Sequence, residues 1–369
     1  MKTNGLPRIA VLTPHLTKYD AVCNDVFGMY EALKCRGFDT RIYALDWSVE
    51  DPELKTYSVS QIEDFLKSAT DILIYHYSMG WLAGCELLLK LRCRKVIKYH
   101  NVTPPEFFTG WSDEYQAVCR AGRQQIGIIT RSDCDVYLSD SDYNMSELIS
   151  EEAPASKSFV VPPFNRIDHL FNTEPDFDVI DKYRDGKANL LMVGSLLPNK
   201  GHVSLLEAFA AYYHDCNDDS RLFIVGKDRA KLQRYSAFLR ERAANLGLES
   251  SVIFTGEVSE SELKSYYLMS DLFVIASEHE GFCVPLAESM AMKVPIIALG
   301  SSAIPGTVSK AGLVWEDCNP YLFAESIDTL ISDESMRIRM SLLGRQRYDQ
   351  LFTNNRIEQK LFQALHEVL

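Results

Sequence analysis

Positive charge is in deficit in this sequence. Its 369 residues hold 38 Lys and Arg against 51 Asp and Glu, a net charge of −13. A nucleic-acid grip needs a clustered positive surface against the phosphates, so that class is set aside. Metal-ligand spacing is missing as well. The nine cysteines (Cys23, Cys35, Cys85, Cys93, Cys119, Cys134, Cys216, Cys283 and Cys318) are well separated, with no C-x₂-C pair. That excludes the usual zinc frames, and an odd, scattered count suits reduced thiols. No stretch approaches the roughly 20 apolar residues of a spanning helix. Met1 to Pro7 holds no apolar run of signal-peptide length, so the expected compartment is the cytoplasm. Neither half has a G-x-G-x-x-G between a strand and a helix, which removes a dehydrogenase reading.

What is present is an alternation of short apolar runs with longer amphipathic stretches. Ile9 to Leu12, Asp71 to Tyr75, Val96 to Tyr99, Val136 to Leu138 and Phe159 to Val161 read as buried strands. Helical patterns such as Val26 to Lys34 and Leu82 to Leu91 lie between them, which implies βαβ units and a parallel sheet. The second half repeats the plan with strands at Leu190 to Val193, Leu222 to Val225, Val252 to Thr255, Leu272 to Ala276 and Ile296 to Leu299. Leu206, Phe209, Ala210 and Tyr213 mark one face of a helix that starts at His202. Further helices are expected over Ala230 to Leu246, Ser259 to Met269 and Val284 to Met292, and Ser259 with Glu262 has the form of a capping box.

A chain of this length exceeds what one core usually supports. The expected architecture is α/β: a Rossmann-like domain over residues 1–165, a polar linker over 166–186, and a second Rossmann-like domain over 187–345. Residues 346–369 read as helices that pack back toward the first domain. Two such halves face each other across a cleft, and ligands favour the carboxyl ends of their strands.

The most informative run is Glu280-Gly281-Phe282-Cys283-Val284-Pro285-Leu286-Ala287-Glu288. A strand ends before it, and Pro285 suits the start of a helix. Backbone N–H groups at a helix start, here near Cys283 and Val284, favour a diphosphate. Glu280 can accept hydrogen bonds from sugar hydroxyls, and Glu288, one turn on, can reach a ribose. Taken alone, the run is also what a solvated helix start would look like. A second run, Val193-Gly194-Ser195-Leu196-Leu197-Pro198-Asn199-Lys200-Gly201, takes a strand through a glycine turn to a lysine that opens a helix. The Lys200 ammonium is a mobile point charge that suits a phosphate oxygen.

These runs resemble glycosyltransferase family 4, whose E-x₇-E motif is built around G-F-x-x-P. Ser277-Glu278-His279 before it, Ala291 to Ala298 after it, and Phe254-Thr255-Gly256-Glu257-Val258 and Asp271-Leu272-Phe273-Val274 upstream all agree, over most of residues 187–315. The resemblance implies a GT-B fold and a retaining enzyme that moves a hexose from a GDP-mannose or UDP-hexose donor to a saccharide or lipid-linked acceptor in glycan synthesis. It implies donor contacts at Gly194, Ser195, Lys200, Gly281, Phe282, Cys283, Val284, Glu288, Glu257 and Val258, with no metal and no cofactor. Lys200 and Glu280 are the expected catalytic groups of this half. His100, at the end of the strand before Asn101-Val102-Thr103-Pro104, matches the family's histidine near the transferred sugar. His76, Ser78 and Asn24 are placed on the acceptor side.

The sequence departs from the family at Ser195, where an arginine would fork onto the diphosphate. Pro305-Gly306-Thr307-Val308 lacks the acidic residue often found after that proline. The first loop, Thr17 to Asp25, lacks the usual glycine pair, and Asn24 or Asp25 is expected to cap the next helix. The basic run Lys90, Arg92, Arg94, Lys95 and Lys98 is read either as a solvated face or as a peripheral contact with anionic lipid. Three rivals remain. A GT-A enzyme would bind a metal at Asp140-Ser141-Asp142 or Asp133-Cys134-Asp135, but leaves the second half unexplained. A GT-B epimerase would need no acceptor, and Ser195 favours a partner that has kept the fold and lost turnover.

Overall fold

Apolar runs without alternation need cover on both faces. The computed structural model describes residues 6–17, 20–48 and 55–369, and in it two parallel sheets receive that cover. The first sheet contains β1 (Ile9–Leu16), β2 (Thr40–Trp47), β3 (Thr56–Ser58), β4 (Ile72–Tyr77), β5 (Arg94–Tyr99), β6 (Val136–Ser139) and β7 (Ser158–Val160), in the order β3-β2-β1-β4-β5-β6-β7. The second contains β8 (Ala188–Val193), β9 (Ser220–Val225), β10 (Val252–Gly256), β11 (Leu272–Ile275), β12 (Ile296–Leu299) and β13 (Gly312–Trp315), in the order β10-β9-β8-β11-β12-β13. Successive side chains of a strand leave opposite faces. Ile9, Val11, Ile72 and Ile74 therefore enter one core, while Ala10, Leu12, Leu73 and Tyr75 enter another.

Both sheets reverse their strand order next to their first strand, between β1 and β4 and between β8 and β11. In open α/β sheets, ligands bind outside the carboxyl ends of the strands at such a switch point. The loops that leave β8 and β11 carry Lys200 and Glu280, the loop that leaves β1 leads to the helix that holds Asp25, and His76 is the next-to-last residue of β4 itself.

The chain divides into two compact units that are not contiguous in sequence. One comprises Met1–Pro105, Glu114–Asn165 and Thr353–Leu369, and the other Glu106–Asp113 and Arg166–Phe352. Ile357, Leu361, Ala364, Leu365 and Val368 complete one core of the first unit. In the second unit, the Trp111 ring lies 5.1 Å from Tyr235 and 5.3 Å from Phe238.

Several local expectations change. The polar stretch over 166–186 carries two helices, Ile167–Asn172 and Phe177–Tyr183. Lys264 donates to the carbonyls of Phe171 and Thr173, and Tyr183 packs edge-on to Phe223 at 4.8 Å. The helix after β1, Ala21–Cys35, is capped by Asp20 and not by Asn24 or Asp25; the Asp20 carboxylate accepts from the amides of Val22 and Cys23. Asp25 instead lies inside that helix, fully buried. Lys18 and Tyr19 of the same loop lie outside the described residues. The box at Ser259 and Glu262 forms in both directions.

Gly201 shows how tightly the second sheet's switch point is built. Its φ is +63°, and a Cβ there would lie 1.8 Å from the Ala276 carbonyl oxygen at the end of β11. Gly201→Ala should therefore cost the roughly 1–2 kcal/mol of left-handed backbone and, on top of that, the displacement of β11's end. Urea unfolding followed by tryptophan fluorescence and circular dichroism checks this. A midpoint equal to that of the parent would refute the close approach.

Candidate functional site

The second unit's site is assembled by backbone staples between loops. The Asn199 carbonyl accepts from the amides of Glu278 and His279 at 2.9 and 3.3 Å, and its side-chain amide donates to the His279 carbonyl at 3.0 Å. The loop after β8 is thus fixed to the loop after β11. The Glu280 amide donates to the Ser302 hydroxyl at 2.7 Å, and the Thr307 hydroxyl donates to the Phe282 carbonyl at 2.9 Å. The short helix Ile304–Val308 thereby holds the glutamate loop through Thr307.

This scaffold brings Lys200 and Glu280 together. The ammonium lies 2.7 and 2.8 Å from the two carboxylate oxygens, and the side chains are 21% and 8% exposed. Burial works against the ammonium, but the Glu280 carboxylate outweighs it and holds Lys200 above its ordinary pKa. Phe282 points inward, edge-on to Phe352 at 5.3 Å, so only its backbone borders the loop. Cys283 caps the helix Val284–Ala291 with φ +71°, an uncommon backbone for a non-glycine residue. Burial pushes its thiol well up. Glu288 accepts a hydrogen bond from the Tyr267 hydroxyl at 2.6 Å, and burial raises its carboxyl. Glu257 pairs with Lys227 at 2.8 Å, and Val258 packs against the core.

Ser195 does not stand alone. A close approach of glycines, in which a Cβ on Gly226 would lie 1.9 Å from the Gly194 carbonyl oxygen, sets the loop after β9 against the loop after β8. From it Arg229 donates through Nη2 to the Ser195 hydroxyl at 3.1 Å. Sequence reasoning missed Arg229, because nothing in the run Lys227-Asp228-Arg229 marks which of its charges turns inward.

The first unit contains a different arrangement, a buried polar network. His76 and Lys98 are register partners on β4 and β5, and His100 follows Lys98 by two residues, so all three share a face. The His76 Nδ1 lies 2.9 Å from the His100 Nε2, and the His100 Nδ1 lies 2.9 Å from Asp140. The Lys98 ammonium lies 2.6 Å from the other Asp140 oxygen and also donates to the Val161 carbonyl. Asp25 accepts from the Phe164 amide at 2.7 Å, and its second oxygen sits 3.6 Å from both histidines and 3.7 Å from Lys98. An Asp140 carboxylate can only accept, so neutral His100 carries its proton on Nδ1 and takes that of His76 on Nε2. The His76 Nε2 then has no partner.

This network overturns the surface reading of Lys98 and bears on His76 and on the rival metal reading. Lys98 belongs to no surface patch; it is fully buried. Of the remaining basic run, Lys90 pairs with Glu63 at 2.6 Å and Arg94 donates to the Val368 carbonyl. His76 is fully buried as well, whereas Ser78 and Asn24 keep partial exposure. Asp140 is buried and held by Lys98 and His100, and Asp142 is exposed, so the two do not form a metal-binding pair. Asp25, His76 and His100 do offer ligand atoms within 4.8 Å of one another. A cation there would meet the Lys98 ammonium and would have to break the histidine–histidine hydrogen bond.

The network sets a pH dependence. Burial, with His100 and Lys98 nearby, holds His76 well below its ordinary pKa, so unfolding lets it take up a proton. Its contribution is present above about pH 6.5 and is lost as pH falls below that value. Burial pushes Asp140 up, but His100 and Lys98 hold it below the usual range, so it works in the same direction at lower pH. Burial raises Asp25, which opposes them. Urea titrations from pH 7 to 5 should show stability falling, with His76 supplying up to about 1.4 kcal/mol per pH unit. His76→Asn should reduce that slope, with His202, held by burial at about 3, supplying part of what is left; an unchanged slope refutes the assignment.

Residues 175–347 match the family described as Glycosyl transferases group 1. A GDP-mannose-dependent alpha-(1-6)-phosphatidylinositol monomannoside mannosyltransferase of Mycobacterium tuberculosis is 28% identical over 249 residues, which span 64% of this chain and 61% of that relative. The chain thus aligns with about three fifths of that relative's length. A glycosyltransferase of Rickettsia africae superposes with a TM-score of 0.77 at 17% identity, covering 98% of both chains. The Anabaena protein HepE, in complex with UDP and glucose, superposes with a TM-score of 0.75 at 16% identity, covering 98% of this chain and 100% of its own. The fold of this chain is that of the GT-B glycosyltransferases, and the family match over residues 175–347 supports a glycosyltransferase on that fold.

Proposed function

We propose that this chain transfers a hexose, with retention, from a nucleotide-diphosphate sugar to a saccharide or lipid-linked acceptor. The observation that carries this reading is the Lys200–Glu280 pair at the second sheet's switch point, beside the start of the helix Val284–Ala291. An ammonium has three donors. Two face the Glu280 oxygens, and the third is available to a phosphate oxygen. Charge builds on the diphosphate as it leaves, and fixed positive groups aimed at it lower the barrier most. Glu280, oriented by Lys200, accepts from hydroxyls of the transferred sugar. His100, held by Asp140, is the residue to which the family 4 resemblance assigns a contact with that sugar. Glu280 and Glu288 are the two acids of the E-x₇-E motif, and no side chain is assigned as a covalent nucleophile. GDP-mannose and UDP-hexose are the candidate donors; one relative is GDP-mannose-dependent and one similar structure holds UDP and glucose. No metal is assigned a role. No helix of the described residues is long and apolar enough to cross a membrane.

Lys200→Ala should lose about 2–4 kcal/mol of transition-state stabilisation in kcat/KM while folding normally by circular dichroism. Turnover equal to the parent's would remove Lys200 from the site. NMR of the first-formed product should show the anomer of the donor, and activity should survive EDTA. Release of nucleotide in the absence of every acceptor would favour an epimerase.

A further inference from the structure

The cations around the loops after β8 and β9 differ in their compensation. Lys200 is paired with Glu280, and Lys227 with Glu257. Arg229 has no carboxylate within ion-pair distance among the described residues, and its Nε is buried without an acceptor. An unsatisfied buried donor is costly, and more so when it is charged. Arg229 is also near enough to Lys200 for its charge to act on that ammonium. Two cations that converge repel each other unless an anion joins them. Among the described residues, the hydrogen-bond partner of the guanidinium is neutral, the Ser195 hydroxyl at 3.1 Å. A serine hydroxyl both accepts and donates, so it can hold Arg229 and still offer its own proton.

We infer that Arg229 is the guanidinium that binds the donor's diphosphate, brought in from the loop after β9 and seated on Ser195. This rests on the nucleotide-sugar reading above. The uncharged residue at 195 is then the seat of a relocated charge and not a sign of lost turnover. A planar guanidinium can fork onto two phosphate oxygens, with Lys200 beside it as a point charge.

The test is calorimetric titration of the full chain with UDP and with GDP, for the parent and for Arg229→Ala, Arg229→Gln and Arg229→Lys. Gln can keep the hydrogen bond to Ser195 but not the charge. The parent should bind at least one of the two nucleotides. Arg229→Ala and Arg229→Gln should each weaken that binding by about 10- to 100-fold, the range of one lost charged hydrogen-bonding group. Arg229→Lys should retain part of it. The double variant Ser195→Arg with Arg229→Ser, which returns the guanidinium to position 195, should recover binding relative to Arg229→Ser. If the parent binds and the folded Gln variant binds equally well, Arg229 is only a structural partner of Ser195 and the inference falls alone. If the parent binds neither nucleotide, the nucleotide-sugar reading itself is overturned.

Discussion

Parallel pairing is the constraint on which the rest of this structure depends. A parallel strand must be reached by a crossover, and crossovers cover both faces of the sheet with helices. The faces are then closed to chemistry, and polar side chains with work to do are confined to the edge where the strands end. Both sheets obey this. Lys200, Glu280 and Arg229 leave the carboxyl ends of β8, β11 and β9, and His76, His100 and Asp140 stand at or beyond the ends of β4, β5 and β6. Where strand order reverses, neighbouring loops diverge and leave room for a ligand.

The two ends are electrostatically unlike. In the first unit, Lys98 and His100 face Asp25 and Asp140 at short range, so a fully buried ammonium is answered by carboxylates and a carbonyl. A buried charge without such an answer would be strongly destabilising. The second unit's loops contain Arg229, whose partner is a neutral hydroxyl. The first arrangement answers its buried ammonium within the protein, whereas among the described residues the guanidinium of the second faces no carboxylate.

The sequence made the strands legible because their apolar runs are short, dense and flanked by turn residues. It hid β2, where Arg41 and Asp46 interrupt the pattern, and it passed over the helix Asp113–Thr130, whose buried face mixes Ile126 and Ile129 with Gly122, Gly127 and Thr130. The glutamate and lysine loops stood out through their resemblance to family 4, since each run alone also reads as an ordinary helix start. The pairing of Lys200 with Glu280 was not, since 80 residues separate them. Lys98 misled for a related reason. A lysine in a basic run looks solvated until strand register places it against Asp140, which no local pattern records. Arg229 escaped because its meaning depends on Ser195, 34 residues away.

The discontinuity of the two units has a consequence for the order in which they are made. Domains generally fold as units while the chain is being synthesised. Here the first unit begins with β1 but needs Ile357, Leu361 and Leu365 to close its core, and these emerge after the whole of Arg166–Phe352. The second unit has every one of its segments, Glu106–Asp113 included, before Thr353 is added. The unit that starts first is thus the last to have all its segments, and its apolar face around Val26, Met29 and Leu33 waits for the closing helix Asn354–Ala364.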